Sequence, residues 1–189
     1  MLKSAFQEAK ATQVAAMLLS LGGGKMNYMK LIKLMYLVDR AALLDWGRPI
    51  THDYYFSLPN GPILSTVLDL INGRISSDLT TGLIWREYIS EPQEYNIQLK
   101  QDCNPKNLSK KQVEVINQVF NKFGQFSEWN LRDYTHDNCS EWQDPLGSRI
   151  EISYHDILSS SDISEEEIEI IESELADLAT MGSLLTSVK

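Results

Sequence analysis

Apolar residues recur every three or four positions from Leu31 through Leu34, Met35, Val38 and Ala42 to Trp46, a spacing that predicts a helix over Tyr28–Trp46. Tyr28, Ile32 and Tyr36 widen this stripe until only a strip around Lys30, Lys33 and Arg40 is left for solvent. A helix apolar over so much of its circumference is expected to be covered on several sides. Asn27 suits its N-cap, Gly47 suits a left-handed C-cap, and Pro49 stops the helix from resuming. His52–Leu58 then reads as a short aromatic strand, closed by the turn Pro59-Asn60-Gly61-Pro62. Along that strand Asp53, Tyr55 and Ser57 share one face, expected at the surface, and Tyr54, Phe56 and Leu58 share the other, expected in the core.

The remaining pattern supplies the cover. Ser4–Leu21 has an apolar side (Phe6, Val14, Met17, Leu18, Leu21) and ends at Gly22-Gly23-Gly24. Pro62–Ile71 reads as a helix with proline in its first turn. Leu83–Ile89 and Tyr95–Leu99 alternate imperfectly about Glu91-Pro92-Gln93-Glu94, which predicts a β-hairpin. With His52–Leu58 this makes an antiparallel sheet of about three strands, near the minimum for independent stability. Ser109 and Ser127 cap two further helices, running to Phe123 and to about Thr135. Asp144-Pro145-Leu146-Gly147 is a turn and Ser159-Ser160-Ser161-Asp162 a hinge. Ser164 with Glu167 has the spacing of a capping box at the start of a last helix. The expected fold is α+β and predominantly helical: a helical bundle around one central buried helix, with a small antiparallel sheet.

At 189 residues a single core is the default. No apolar run is long enough for a membrane span and no secretory pattern is readable at the N-terminus, so a cytoplasmic protein with no membrane partner is expected. Two cysteines, Cys103 and Cys139, are too few for a disulfide framework and are expected to be reduced. Charge changes the picture more. Residues 151–189 hold 10 acidic side chains and one basic one, whereas residues 1–150 hold 16 of each, so the whole net charge of −9 lies in the last fifth of the chain. That balance argues against nucleic acid as the main partner, and it suits either a basic partner or a segment that keeps the protein soluble. It also divides the chain into a domain at 1–150 and an acidic helical extension at 151–189.

Candidate chemistry is thin. Gly22-Gly23-Gly24-Lys25 lacks the spacing of a phosphate loop and no strand precedes it, so a helix terminator is the better reading. His52-Asp53 with Asp39 or His136 has the residue types of an acid–base site, but neighbours on a strand point to opposite faces. His136, Asp137, Cys139 and His155 lack the paired spacing of zinc ligands, and no GxSxG elbow is present. No cofactor, metal or catalytic residue is therefore expected. The aromatics Tyr54, Tyr55, Phe56, Trp85 and Trp142 are shared between two readings, a recognition surface and a core.

Two segments together resemble a known family. KLIKLMYLVDRAALLDWGRPITHDYYFSLPNGPILSTVLDLI, from Lys30 to Ile71, is similar to the SocA-like antitoxins, the Panacea domain, in its Lys30, Lys33 and Tyr36 helix, its Gly47-Arg48-Pro49, its acidic-aromatic strand and its Gly61-Pro62. The second segment, within Ser109–Pro145, matches in Phe123-Gly124, Ser127, Leu131, Thr135-His136 and Trp142. Leu58-Pro59-Asn60 ahead of Gly61 departs from many members. The resemblance implies an antitoxin of a two-gene module in bacteria or their phages, non-enzymatic, that neutralises a cognate toxin by direct protein–protein binding. Alternatives are an adaptor that delivers the toxin to a protease complex, and an enzyme that reverses a toxin-made modification using Asp53 and His136. Expected partners are the toxin, a protease under the adaptor reading, and a second copy of the chain. The toxin-binding surface is placed at Asp53, Tyr55, Asn60 and His136. Lys30, Lys33, Tyr36, Gly47, Arg48, Pro49, Gly61, Pro62 and Trp142 are the residues of the family motif, with a structural role.

Overall fold

The computed structural model describes residues 5–74 and 82–187. Helix α1 (Glu8–Leu21) leads through the glycines into a short strand β1 (Lys25–Asn27) and then into α2 (Tyr28–Trp46). Ser4, where the first helix was expected to begin, lies outside the described residues. The Asn27 side chain accepts from the Met29 N–H, and Gly47 closes α2 at φ 71°. α2 is the centre of the molecule, packing against α1, β1 and most of the elements that follow it in the chain, and eleven of its residues are buried.

Hairpin β2 (Tyr55–Leu58) and β3 (Gly61–Leu64) follows, paired Tyr55 to Leu64 and Leu58 to Gly61 around the tip Pro59-Asn60. Residues Pro62–Leu64, expected as helix, are therefore strand, and α3 (Ser65–Ile71) starts three residues later. The helix over Leu83–Tyr88 (α4) replaces the first strand expected at Leu83–Ile89. Its cause is a contact distant in sequence: the Glu8 carboxylate accepts from the Gly82 and Trp85 N–H groups (2.9 and 3.0 Å), capping the turn and drawing Trp85 into the core. The second expected strand survives as β4 (Asn96–Gln98), antiparallel to β1.

Helix α5 (Lys110–Phe123) carries the capping box of Ser109 and Gln112, and α6 (Glu128–Asn138) is capped by Ser127. β5 (Ile150–Ile152) pairs antiparallel with β2, so the three-stranded sheet has the order β3-β2-β5 and draws its third strand from the end of the chain. α7 (Tyr154–Leu158) buries Tyr154, Ile157 and Leu158 in the common core. α8 (Glu165–Ser187) is opened by Ser164 and Glu167, each bonded to the other's backbone N–H. The boundary drawn at Ile150/Glu151 thus falls inside β5. The described residues form an α+β fold, mostly helical, with two small antiparallel sheets. None of their helices is long and apolar enough to cross a membrane.

The facing of β2 is the reverse of the expectation. Asp53, Tyr55 and Ser57 are buried against the helices, whereas Tyr54 is 46% exposed and Phe56 and Leu58 are half-buried. Polar atoms are tolerated inside because each carboxyl and hydroxyl there has partners. The outer aromatic face is partly screened by Arg149, whose guanidinium lies 4.7 Å from the Phe56 ring.

Candidate functional site: the anchored hairpin tip

Two buried carboxylates fix the hairpin. Asp39 of α2 accepts from the Ile50 and Thr51 N–H groups (3.0 and 3.1 Å), from the Thr51 hydroxyl and from the Tyr55 hydroxyl (3.1 Å). Burial raises its pKa to about 6 against the pull of these donors. Asp53 accepts from the Tyr54 N–H at 2.7 Å and from Thr66 and Val67 N–H at 2.9 Å each, and so supplies the N-terminal cap that α3 lacks locally. Between them Asp39 and Asp53 hold the entry to β2 and the start of α3. His52, which lies between Thr51 and Asp53 with φ 54°, keeps a buried Nδ1 without a hydrogen-bond partner among the described residues, and burial depresses its pKa to about 4.

At the other end of β2 the two halves of the sequence motif meet. Gly61 has φ 96°, and a Cβ there would lie 2.7 Å from Lys33 Nζ, 2.8 Å from Thr135 Oγ1 and 3.4 Å from His136 Cδ2. Lys33, expected on the solvated strip of α2, is 0% exposed. Its ammonium donates to the Pro62 carbonyl at 3.4 Å. No carboxylate pairs with it among the described residues, and burial lowers its pKa to about 7, with Arg132 adding and Cys139 opposing. The His136 ring stacks on Trp142 at 3.7 Å and 9°, with its Nε2 buried and unpartnered among the described residues. Trp142 Nε1 donates to the Leu58 carbonyl at 3.0 Å, and the Gln143 N–H donates to Ser57 Oγ at 3.2 Å. The segment after α6 is thereby stitched along β2.

Other motif residues complete the frame. The Tyr36 hydroxyl donates to Glu141 Oε1 at 2.6 Å, and Arg40 Nε reaches the same oxygen at 2.7 Å. Arg40 also donates to Ser160 Oγ at 2.7 Å, so the Arg40–Glu141 pair joins α2, the stretch after α6 and the segment after α7. Lys30 donates to the Gly124 carbonyl at 2.7 Å. Pro49 is buried, and Arg48 lies at the surface 3.6 Å from Glu174.

The chain matches the family profile described as antitoxin SocA-like, Panacea domain, over residues 31–143. The chain belongs to this family. No curated protein and no solved structure gives a significant match to the chain. In this Panacea domain the motif residues Lys33, Gly61, Pro62, Thr135, His136 and Trp142 converge on one hairpin tip. Of the four residues expected to contact a partner, Asp53 and Tyr55 are 0% exposed and spend their polar atoms inside the Panacea domain. Asn60 is exposed at the tip and His136 is half-buried beside it. Asp53 precedes β2 whereas His136 meets Gly61 beyond its far end, so the pair named for an enzymatic reading is not brought together at the tip. Pattern reading weighed Asp39 only for acid–base chemistry, and it missed Glu141 and the buried state of Lys33. Asp39 and Lys33 carried the signal of a charged letter on a largely apolar helix, whereas Glu141 lies in the turn after α6 and carried none.

The buried Lys33 yields a pH prediction. An amine whose folded pKa is about 7, against about 10.5 unfolded, binds fewer protons folded than unfolded between those values. Stability therefore rises with pH across that window, and the burial penalty is full below pH 7, at most about 5 kcal/mol. Buried Tyr36, Tyr55 and Cys139 have raised pKa values and act in the opposite sense from about pH 9 upward. Denaturant unfolding at pH 7.0 and 8.5 is expected to show greater stability at the higher pH. Lys33→Met should abolish that difference; an unchanged slope in the variant would assign it elsewhere.

Proposed function

We propose that this Panacea domain is a non-enzymatic antitoxin that neutralises its cognate toxin by direct binding, with the contact centred on the hairpin tip. The observation that supports this reading is the convergence of the family motif on that tip. Lys33, Thr135 and the His136–Trp142 stack hold Gly61 and Pro62 from behind, and Pro59 and Asn60 are left facing outward. A turn fixed from within loses little conformational entropy on binding, which favours affinity. Half-buried Leu58, His136 and Trp142 beside it, with Phe56 and exposed Tyr54 further back along the outer face of β2, offer aromatic and apolar area of the kind that dominates binding hot spots. Family membership supports a toxin protein as the class of partner, and the ordered tip supports this reading of where it would bind.

The test is co-expression with the growth-inhibiting product of the adjacent gene, with growth, toxin abundance and pull-down read together. Asn60 lies outside the left-handed region, so Asn60→Arg fits the turn and adds only bulk and charge to its outer side. Growth rescue with a recoverable complex and unchanged toxin level is expected from the parent chain. Asn60→Arg is expected to lose rescue by about tenfold or more in the antitoxin dose required, without a change in melting temperature. Falling toxin abundance would point to the adaptor mechanism instead, and rescue at sub-stoichiometric dose without a complex would point to an enzyme.

A further inference from the structure

Helix α8 buries one side and leaves another outside. Ile168, Leu175 and Ala179 are buried, while Ile170 is 54% exposed and Met181 and Leu184 are each 61% exposed. At 100° per residue, Ile170, Glu174, Asp177, Met181 and Leu184 fall within one narrow arc. This arc is an apolar seam interrupted by acids. Its first part borders a groove of about 310 Å³ between α8 and the end of α2, with Leu44, Trp46, Ile163 and Ile171 as its apolar lining and Asp45, Glu167 and Glu174 as its acids.

Charge decides what would fill it. From Glu165 to Ser187 the helix has seven acidic residues and no basic one. The cations at the groove come from other elements. Lys111 of α5 lies 3.2 Å from Asp45 with its ammonium 4.6 Å from the Trp46 ring, and Arg48 lies 3.6 Å from Glu174. Both pairs are half-exposed or more and so are weak and exchangeable. Lys111 shows on the molecule itself the contact this groove offers: an ammonium over an aromatic face beside a carboxylate. A second copy of the chain would bring like charge against like charge, which disfavours self-pairing here.

We infer that the α2–α8 groove and the outer seam of α8 form a second docking surface, for a basic amphipathic segment of the toxin in which lysine or arginine alternates with aliphatic residues. The inference rests on the antitoxin reading for the identity of the partner, and on the surface alone for its chemistry. Apolar contacts at Ile170 and Met181 supply the hold, and the acids around them steer and orient the basic segment.

Binding is measured by fluorescence anisotropy of the full chain with a labelled lysine–leucine peptide patterned as an amphipathic helix, beside a lysine–serine peptide of equal length and charge. The parent chain is expected to bind the lysine–leucine peptide at least about tenfold more tightly than the control. Ile170→Ser with Met181→Ser, and separately Glu174→Lys with Asp177→Lys, should each weaken it by about tenfold, whereas Glu91→Lys with Asp102→Lys, the same charge change at a distant surface, should leave most of it. Equal binding of the two peptides, or equal loss in all three variants, would reduce the effect to net charge and overturn the inference. With the co-expressed toxin, a parent chain that fails to rescue growth overturns the antitoxin reading and leaves the peptide result standing. Rescue by the parent and undiminished rescue by both α8 variants overturns the α8 surface alone.

Discussion

Gly61→Ala is expected to destabilise the chain by about 3 kcal/mol and to abolish neutralisation together with the fold of the tip. Two effects add. A side chain at φ 96° is strained whatever surrounds it, and here the new methyl would sit 2.7 Å from Lys33 Nζ and 2.8 Å from Thr135 Oγ1. Neither neighbour can swing into solvent, because Lys33 and Thr135 are both fully buried. Gly147→Ala separates the terms: its φ is 88°, yet nothing lies within 4 Å of its Cβ position, so only strain remains and a loss of about 1 kcal/mol is expected. Denaturant melts of the two variants side by side check this, and equal losses would mean that the close approach behind the tip contributes nothing.

Asp39→Ala carries the other large effect. It removes the acceptor of two backbone N–H groups and two hydroxyls, all inside the core, and leaves a cavity at the middle of α2. Unsatisfied buried donors and lost volume together set the expected cost at about 4 kcal/mol. For a chain of this size that lowers the melting temperature by roughly 10 °C. Asp39→Asn keeps one acceptor oxygen and nearly the same volume, and should lose less than half as much. A loss under about 1 kcal/mol in the alanine variant would show that water replaces the carboxylate and that the entry to β2 is not held there.

How far these residues were legible varies with the range of the contact. The central helix could be read because its cap, its apolar run and its glycine stop are all local, and Asn27 and Gly47 occupy the positions that spacing assigned. Pro62 misled because proline suits both the first turn of a helix and a strand at the edge of a sheet; here β3 is an edge strand, and the helix begins at Ser65. Leu83–Tyr88 misled because its cap comes from Glu8, some seventy positions away. The facing of β2 inverted because hydrophobicity alone orders Phe56 above Tyr55. Tyr55 wins the interior through its bond to Asp39, a pairing that only the folded chain reveals. Lys33 was read as solvated for the same reason. The family motif was legible as letters, but not as a single place, since its two halves are separate in sequence and are brought together at Gly61 by the folded chain alone.

The third strand of the larger sheet has a consequence for cleavage of the chain. The family-matched residues end at 143, while β5, the partner of β2 on its second side, lies at Ile150–Ile152. A chain cleaved between them would present β2 with a bare row of N–H and C=O groups flanked by Tyr54, Phe56 and Leu58. That is a template for adding a foreign strand. Clipping a few residues after the family-matched part, with loss of the piece that follows, would therefore leave this sheet with an open edge bordered by aromatic side chains.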